Sequence, residues 1–238
     1  MSLIADLRAR NLQNELMDSP ELDAGRFVGS LEGLRRVNRV TGSARILQPH
    51  LESAARADAS RPLRVLDMAC GGGDVAITLW RRLRAQGLDV EMHGCDINPL
   101  AVEHAAEQAE CQGADLRFFQ LNAIADPIPP GFDVIMHSLF LHHLSGEDAV
   151  ASLRKAAQAA QRSVLVHDLV RGRAGHLLAY LGVRVLLCND VCHADGPRSV
   201  EGAFTIDEAK ALAEAEGLEG CSVEPKFPFR FLLTWSKA

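Results

Sequence analysis

The sequence predicts an α/β protein, a seven-stranded and mostly parallel sheet with an antiparallel last strand, preceded by a helical cap. Three observations predict it. Between Leu63 and Asp168, short apolar runs alternate with amphipathic stretches of helical period, the pattern of a parallel sheet with right-handed crossovers. The first run passes through Asp67 into Gly71-Gly72-Gly73 and then a helix, RVLDMACGGGDVAITL. Glycines there let backbone amides approach a ligand closely, and a helix N-terminus follows. The chain closes with two extended runs, Cys221–Pro225 and Phe229–Ser236, joined by Lys226-Phe227-Pro228. So short a joint makes an antiparallel pair.

Taken in order, Ser2 to Leu16 reads as a helix, with Leu3, Ile4, Leu7, Leu12 and Leu16 near one face. Ser19-Pro20 signals a new helix, serine as cap and proline in the first turn. A second amphipathic piece passes through Leu31, Leu34 and Val37, and a third runs from Ala44 to Ala55. Residues 1–62 are thus expected to form a helical cap or lid, and residues 63–238 the main domain. Its first five strands are expected at Leu63–Asp67, Val90–Asp96, Leu116–Leu121, Phe132–Ser138 and Ser163–Asp168. Helices fit between them at Val75–Gln86, Pro99–Gln112 and Glu147–Ala160, and Asn98-Pro99 is a good helix start. Residues 169–203 are too long for an ordinary connection and read as a lid-like insertion, with an apolar helix at His176–Leu187 and a tight turn at His193–Pro197. Thr205 and Glu208 form a capping box whose helix ends near Gly217.

The chain has 238 residues, 47% hydrophobic and 24% charged, enough to bury one large core. A formal charge of -6 with no dense basic stripe argues against a nucleic-acid partner. No stretch reaches the roughly 20 apolar residues of a membrane span, and MSLIADLRAR lacks the apolar core of an export signal. Six cysteines scattered through an α/β pattern fit reduced thiols in a cytoplasm. A cytoplasmic monomer or homodimer acting on a small molecule is expected.

Gly71-x-Gly73-x-x-Ala76, followed at a distance by Asp96, satisfies the dinucleotide fingerprint. Asp67, just before the loop, would meet a pyrophosphate with an unwelcome negative charge, whereas a cationic tail would suit it. The chain also lacks a second mononucleotide-binding half, and its closing antiparallel pair departs from a dinucleotide fold. Together VLDMACGGGD, GCDINP, FFQLNAIADPIP and FDVIMHSLFLHHL resemble the class I S-adenosylmethionine-dependent methyltransferases. The resemblance implies a Rossmann-like sheet and S-adenosylmethionine as cofactor. It also implies that Asp67 and the backbone of Ala69, Cys70, Gly71 and Gly73 hold the methionine part, and that Asp96 accepts from the ribose hydroxyls. Ile97 would pack on the adenine, Asn98 would touch the ribose edge, and Asn122-Ala123 would receive the adenine amino group at the asparagine carbonyl. The backbone of His137, with Ser138 after it, would face the sulfonium. Ala69 stands where the family has its first loop glycine, which is expected to work if φ is negative there.

Methyl transfer to a hydroxyl needs the acceptor aligned and its proton removed. His142 and His143 follow the fourth strand and Asp168 closes the fifth; these three are the candidate catalytic residues, histidine being best poised at neutral pH. Cys188, Cys192 and His193 (CNDVCH) have the wrong cysteine spacing for zinc and only His176 as a further ligand, so no metal is expected. The apolar insertion suits a partly apolar acceptor. The ELMD, SLFLHHL and SVEGAFT stretches resemble bacterial methyltransferases of quinone and secondary-metabolite type, which implies O-methylation of a phenol, quinone or polyketide-like ring, with C-methylation as the alternative. A nicotinamide-dependent oxidoreductase would lack its Tyr-x-x-x-Lys pair, Tyr180 being the one tyrosine. A non-catalytic cofactor-binding protein is the third reading.

Overall fold

The computed structural model describes residues 6–186, 190–215 and 217–237. Strands β1 (Leu63–Met68), β2 (Val90–Asp96), β3 (Leu116–Gln120), β4 (Val134–Ser138), β5 (Ser163–Leu169), β6 (Ser222–Lys226) and β7 (Arg230–Ser236) form one sheet, in the order β3-β2-β1-β4-β5-β7-β6. The first five are parallel, and β7 inserts between β5 and β6, antiparallel to both. The expected fold class holds. β1 is buried along most of its length, as both faces of a parallel sheet are covered, so LRVLDM shows little alternation.

Helices α1 (Ala24–Thr41) and α2 (Ser43–Ala57) precede the sheet. They are followed by α3 (Asp74–Ala85), α4 (Pro99–Cys111), α5 (Gly146–Ala159), α6 (Arg173–Leu186), α7 (Asp190–Gly202) and α8 (Ile206–Ala215). On one face of the sheet Val65, Val134, Met136, Leu165 and Leu232 pack against α2 and α3 through Leu47, Leu51, Leu79 and Leu83. On the other, Leu66, Ile135, Val164, Val166 and Phe231 meet Leu153 and Ala156 of α5 and Ala209 and Ala213 of α8. At roughly 25 cal/mol per Å² of apolar surface removed from water, these two layers drive the fold. No helix among the described residues is long and apolar enough to cross a membrane.

Three local expectations are corrected. Of the helix expected over Ser2–Leu16, residues 1–5 lie outside the described residues, 6–15 are irregular, and Leu16–Asp18 make a short 3-10 turn. This strap is bonded to α7: Asn11 N donates to Glu201 O at 3.0 Å, and Leu16 N and Met17 N donate to the Asp195 carboxylate at 2.8 and 3.0 Å. Ser19 does not cap α1; Asp23 does, accepting from Arg26 N at 3.1 Å, a carboxylate being among the better caps. The turn expected at His193–Pro197 is helical, within α7. Gly196 lies where α7 presses on α6: a Cβ there would come within 2.7 Å of Val183 Cγ1, so the glycine serves close helix packing. The apolar helix expected at His176–Leu187 is α6, with Leu187 and Cys188 outside the described residues. The Thr205–Glu208 capping box forms in both directions, at 2.8 and 3.2 Å.

Candidate active site

The glycine turn lies at the carboxyl edge of the sheet, where open α/β sheets bind ligands. From β1 the chain turns through Ala69 at φ +52°, Gly71 at +52° and Gly73 at +72° into α3. Ala69 was expected at negative φ; it takes the left-handed conformation itself, at a cost of about 1–2 kcal/mol for a residue with a Cβ. The turn is held against that cost by Cys70 N to Cys95 O and Gly73 N to Cys70 O, both at 2.9 Å. Gly73 has no room for a side chain, since a Cβ would lie 2.9 Å from the Phe118 ring. Leu31 of α1 lies over the loop, 3.4 Å from where a Gly72 Cβ would be.

Two carboxylates face this turn. Asp96, at the end of β2, accepts from Gly71 N at 2.8 Å and from Asn98 N at 2.9 Å, which ties β2 to the loop and leaves each oxygen a second lone pair. Burial raises its carboxyl, against those donors. Asp67 is 1% exposed and its Oδ1 has no hydrogen-bond partner. Burial, with the charges of Asp74 and Asp96, pushes Asp67 well above the usual carboxylate range. Ile97 is exposed beside them, and Asn98 caps α4 by accepting from Leu100 N at 3.0 Å. Asn122 departs from expectation. Its Oδ1 accepts from Ile124 N and Ala125 N at 2.9 and 3.0 Å, so its oxygen closes its own loop and the side-chain amide nitrogen is what remains for a ligand. Ala123 is buried next to it.

The candidate catalytic residues meet one strand over. β4 ends at Ser138, passes Leu139 at φ +58°, and enters a 3-10 turn, Leu141–His143. Asp168 Oδ2 accepts from Leu141 N at 2.6 Å, and Oδ1 lies 2.6 Å from His142 Nδ1. Burial alone would raise the Asp168 carboxyl, but the charge and hydrogen bond of His142 hold it well below the usual range. An ionised carboxylate only accepts, so Nδ1 carries the proton and Nε2 is left to exchange one. His137 is fully buried, its ring edge-on to Phe140 at 5.6 Å and both ring nitrogens unpartnered; burial pushes it down to about 4, so it is neutral.

His143 Nδ1 lies 3.3 Å from Asp18 Oδ2, and Glu15 Oε1 lies 3.8 Å from His142 Nε2. Ser199 Oγ donates to Glu15 at 2.5 Å. The ELMD, SLFLHHL and SVEGAFT stretches therefore converge on one spot. Burial works against a charged His143, but the Asp18 hydrogen bond and the charges of Glu15 and Asp18 raise it to about 9. Glu15, His142 and His143 each offer a ligand atom within 4.8 Å of the others. Cys192 Sγ instead donates inward to Ser30 O at 3.8 Å, and His176 pairs with Glu201 at 3.1 Å.

Residues 65–163 match a family model described as a methyltransferase domain. Over 169 residues the chain is 34% identical to the demethylmenaquinone methyltransferase of Thermus thermophilus, an alignment covering 66% of this chain and 74% of that one. The chain belongs to the class I S-adenosylmethionine-dependent methyltransferases. Solved structures share its fold. The Synechocystis magnesium protoporphyrin IX methyltransferase with bound SAH aligns over 83% of this chain and 84% of that one, at TM-score 0.56 and 16% identity. Human N-acetylserotonin methyltransferase in complex with SAM aligns over 91% and 57%, at TM-score 0.64 and 16% identity. The cofactor of this methyltransferase is S-adenosylmethionine, and the cradle suits it: the unpartnered oxygen of Asp67 lacks the cationic donor that a methionine ammonium provides.

Sequence reasoning placed Asp168 beside the histidines but did not pair Glu15 and Asp18 of this methyltransferase with them. ELMD stood out as a stretch, yet nothing local says that it crosses to the fourth strand's turn.

Proposed function

We propose that this methyltransferase moves a methyl group from S-adenosylmethionine to a hydroxyl oxygen of a small, partly apolar acceptor of phenol, quinone or polyketide type. The observation that carries the reading is the buried His142–Asp168 pair, 2.6 Å apart, on the turn beside the glycine cradle. Bound, the cofactor supplies an electrophilic methyl on a sulfonium, and transfer is an in-line displacement. His142 Nε2 takes the acceptor's hydroxyl proton. Asp168 holds the ring by Nδ1 and stabilises the imidazolium that results. His143 stays protonated and anchors the strap through Asp18. The matched relative named for demethylmenaquinone supports an aromatic, quinone-like acceptor.

In the same reading Asp67 receives the cofactor's ammonium, Asp96 its ribose hydroxyls, and the exposed Ile97 its adenine face. The backbone of Ala69, Cys70, Gly71 and Gly73 lines the methionine, with Asn98 and Asn122-Ala123 at the nucleoside edge and His137-Ser138 toward the sulfonium. Residues 1–62 cap the domain formed by 63–238, the scattered thiols favour a cytoplasmic protein, and the chain acts as a monomer or homodimer.

The test is a methyl-transfer screen over phenols and hydroquinones with product analysis by NMR. His142→Ala is expected to lower transfer by roughly 10²–10⁴-fold, the range for a lost general base, with affinity for S-adenosylhomocysteine kept within about twofold. Full activity in His142→Ala overturns the assigned base. A methyl found on ring carbon overturns the oxygen assignment in favour of C-methylation.

A further inference from the structure

Arg230 opens β7 at the ligand edge of the sheet, opposite Leu169 of β5. It is 4% exposed, its Nε has no partner, and among the described residues its guanidinium makes no hydrogen bond or ion pair. Arg171, equally buried, shows what this fold does with a structural arginine. It is bonded to both oxygens of Glu208 at 2.6 and 2.7 Å, to Ala203 O at 2.6 Å and to Leu7 O at 3.1 Å. An arginine this buried whose Nε has no partner is costly, and proteins compensate such charges with a counterion. Asp168 does not fill that role. It projects from the opposite face of β5 by strand alternation, and its oxygens are committed to His142, Leu141 N and Leu169 N.

A second polar group lies beside it. The register pairs His167 with Leu232 and Leu169 with Arg230, so His167 and Arg230 are diagonal neighbours on one face, about 7–8 Å apart at the backbone. His167 is fully buried; Ser138 Oγ holds its Nδ1 at 2.9 Å, and its Nε2 has no partner. Ser138, His167 and Arg230 form a row across β4, β5 and β7, on the face that further down carries Met136, Leu165 and Leu232. The row begins at the end of β4 beside the cradle and ends two strand spacings away, about 10 Å. That span fits one or two fused rings. Burial lowers Arg230 to about 10, against the attraction of Asp168, so the group is cationic at neutral pH.

We propose that Arg230, with His167 Nε2 beside it, binds a carboxylate carried by the methyl acceptor. A planar guanidinium fork matches a carboxylate in two-point geometry, and a neutral histidine adds one donor. The acceptor is therefore a hydroxylated ring acid, apolar in its middle and anionic at the end far from the cofactor. The inference rests on the reading that this edge of the sheet receives the acceptor.

The test is calorimetry on the full chain loaded with S-adenosylhomocysteine. The probes are 3,4-dihydroxybenzoate and 1,4-dihydroxy-2-naphthoate, each against its neutral carboxamide, with inorganic phosphate as a second anion. At least one acid is expected to bind tenfold or more tightly than its amide. Arg230→Met is expected to erase that preference while leaving amide binding unchanged, and Arg230→Lys to keep part of it. The Tm of Arg230→Met is expected to equal or exceed that of the parent, since an unpaired buried charge is removed. Equal binding of acid and amide, no binding of either, a preference that survives Arg230→Met, or phosphate binding as tight as the acids would each overturn the proposal. So would a large fall in Tm for Arg230→Met, which makes the residue structural. Failure of the parent chain to bind S-adenosylhomocysteine would count against the cradle instead, and is read separately before any acid is added.

Discussion

Glu15 Oε1 lies 3.8 Å from His142 Nε2, so the strap brings a carboxylate to the one ring atom that Asp168 leaves open. When that atom takes a proton, the imidazolium has an anion on both sides. Glu15→Gln removes one of them while keeping the strap's shape. At this separation and an effective dielectric near 20, a full charge pair amounts to about 4 kcal/mol, and solvent on the strap side reduces it to about 1–2. Glu15→Gln should lower kcat about tenfold and leave affinity for S-adenosylhomocysteine unchanged. An unchanged kcat would show that Glu15 does not support the base.

Cofactor affinity should depend on the ionisation of Asp96. Its carboxylate accepts from Gly71 N and Asn98 N and, in the reading above, from both ribose hydroxyls. Asp96→Ala should weaken binding by about 2–4 kcal/mol, the order of charge-assisted hydrogen bonds lost to a buried partner. Burial raises this carboxyl above its ordinary 3.8, so on acidification affinity should begin to fall before an unperturbed aspartate would titrate. Calorimetry of S-adenosylhomocysteine binding from pH 7 downward checks both. Affinity that is flat with pH in the parent chain would place the ribose elsewhere.

The sheet was legible because its signals are local: apolar runs of strand length, a glycine turn, Asn98-Pro99, and the Thr205–Glu208 box each act within a few residues. Asp67, Asp96 and Asp168 were legible for a related reason, since polar residues that end apolar strands fall at one edge of a parallel sheet, and His142 follows in the turn after β4. What was missed depends on distant partners. Leu3, Ile4, Leu7, Leu12 and Leu16 fall near one face of a notional helix, yet Asp195 and Glu201, some 180 residues away, take up the backbone donors of Asn11, Leu16 and Met17. Ala69 was judged by the conformational preference of alanine, whereas its φ is set by the bonds of the Cys70–Gly73 turn to β2. Asn122 offered an acceptor in isolation, and its own loop claims that acceptor first.

The strap should loosen at high pH. His143 is partly exposed, and Asp18 and Glu15 raise it from 6.5 to about 9. A group raised on folding contributes fully below its unfolded value, and its contribution is lost as pH rises through its folded value. The His143–Asp18 contact should therefore hold the strap fully below about pH 6.5 and progressively less as the pH rises to about 9. Tryptic cleavage at Arg8 and Arg10, followed by mass spectrometry, should accelerate across that window while the core stays folded. Asp18→Asn should shift the onset to lower pH. A cleavage rate that tracks only the protease's own pH dependence would exclude the coupling.

At the opposite edge of the sheet, Asp133 should govern acid stability. It is fully buried, and its carboxylate accepts from Arg61 at 2.8 Å and 2.5 Å and from Arg64 N at 3.0 Å. Its main-chain oxygen receives Arg162 N and Ser163 N at 2.9 and 3.1 Å, so one residue joins β1, the start of β4 and the start of β5. Burial would raise this carboxyl, but the Arg61 and Arg64 hydrogen bonds and the charges of Arg61 and Arg162 lower it overall. With the folded pKa below the unfolded one, the stabilisation is present above the ordinary carboxylate value of 3.8 and is lost as pH falls through the folded value. Asp133→Asn keeps the shape and removes the charge; at neutral pH it should cost about 2 kcal/mol, the order of a charge-assisted hydrogen bond weakened at a buried site. Urea unfolding at pH 7 and pH 3 checks this, and the difference between parent and variant should shrink at the lower pH. A difference that stays constant would mean that the loss comes from packing and not from the ionised carboxylate.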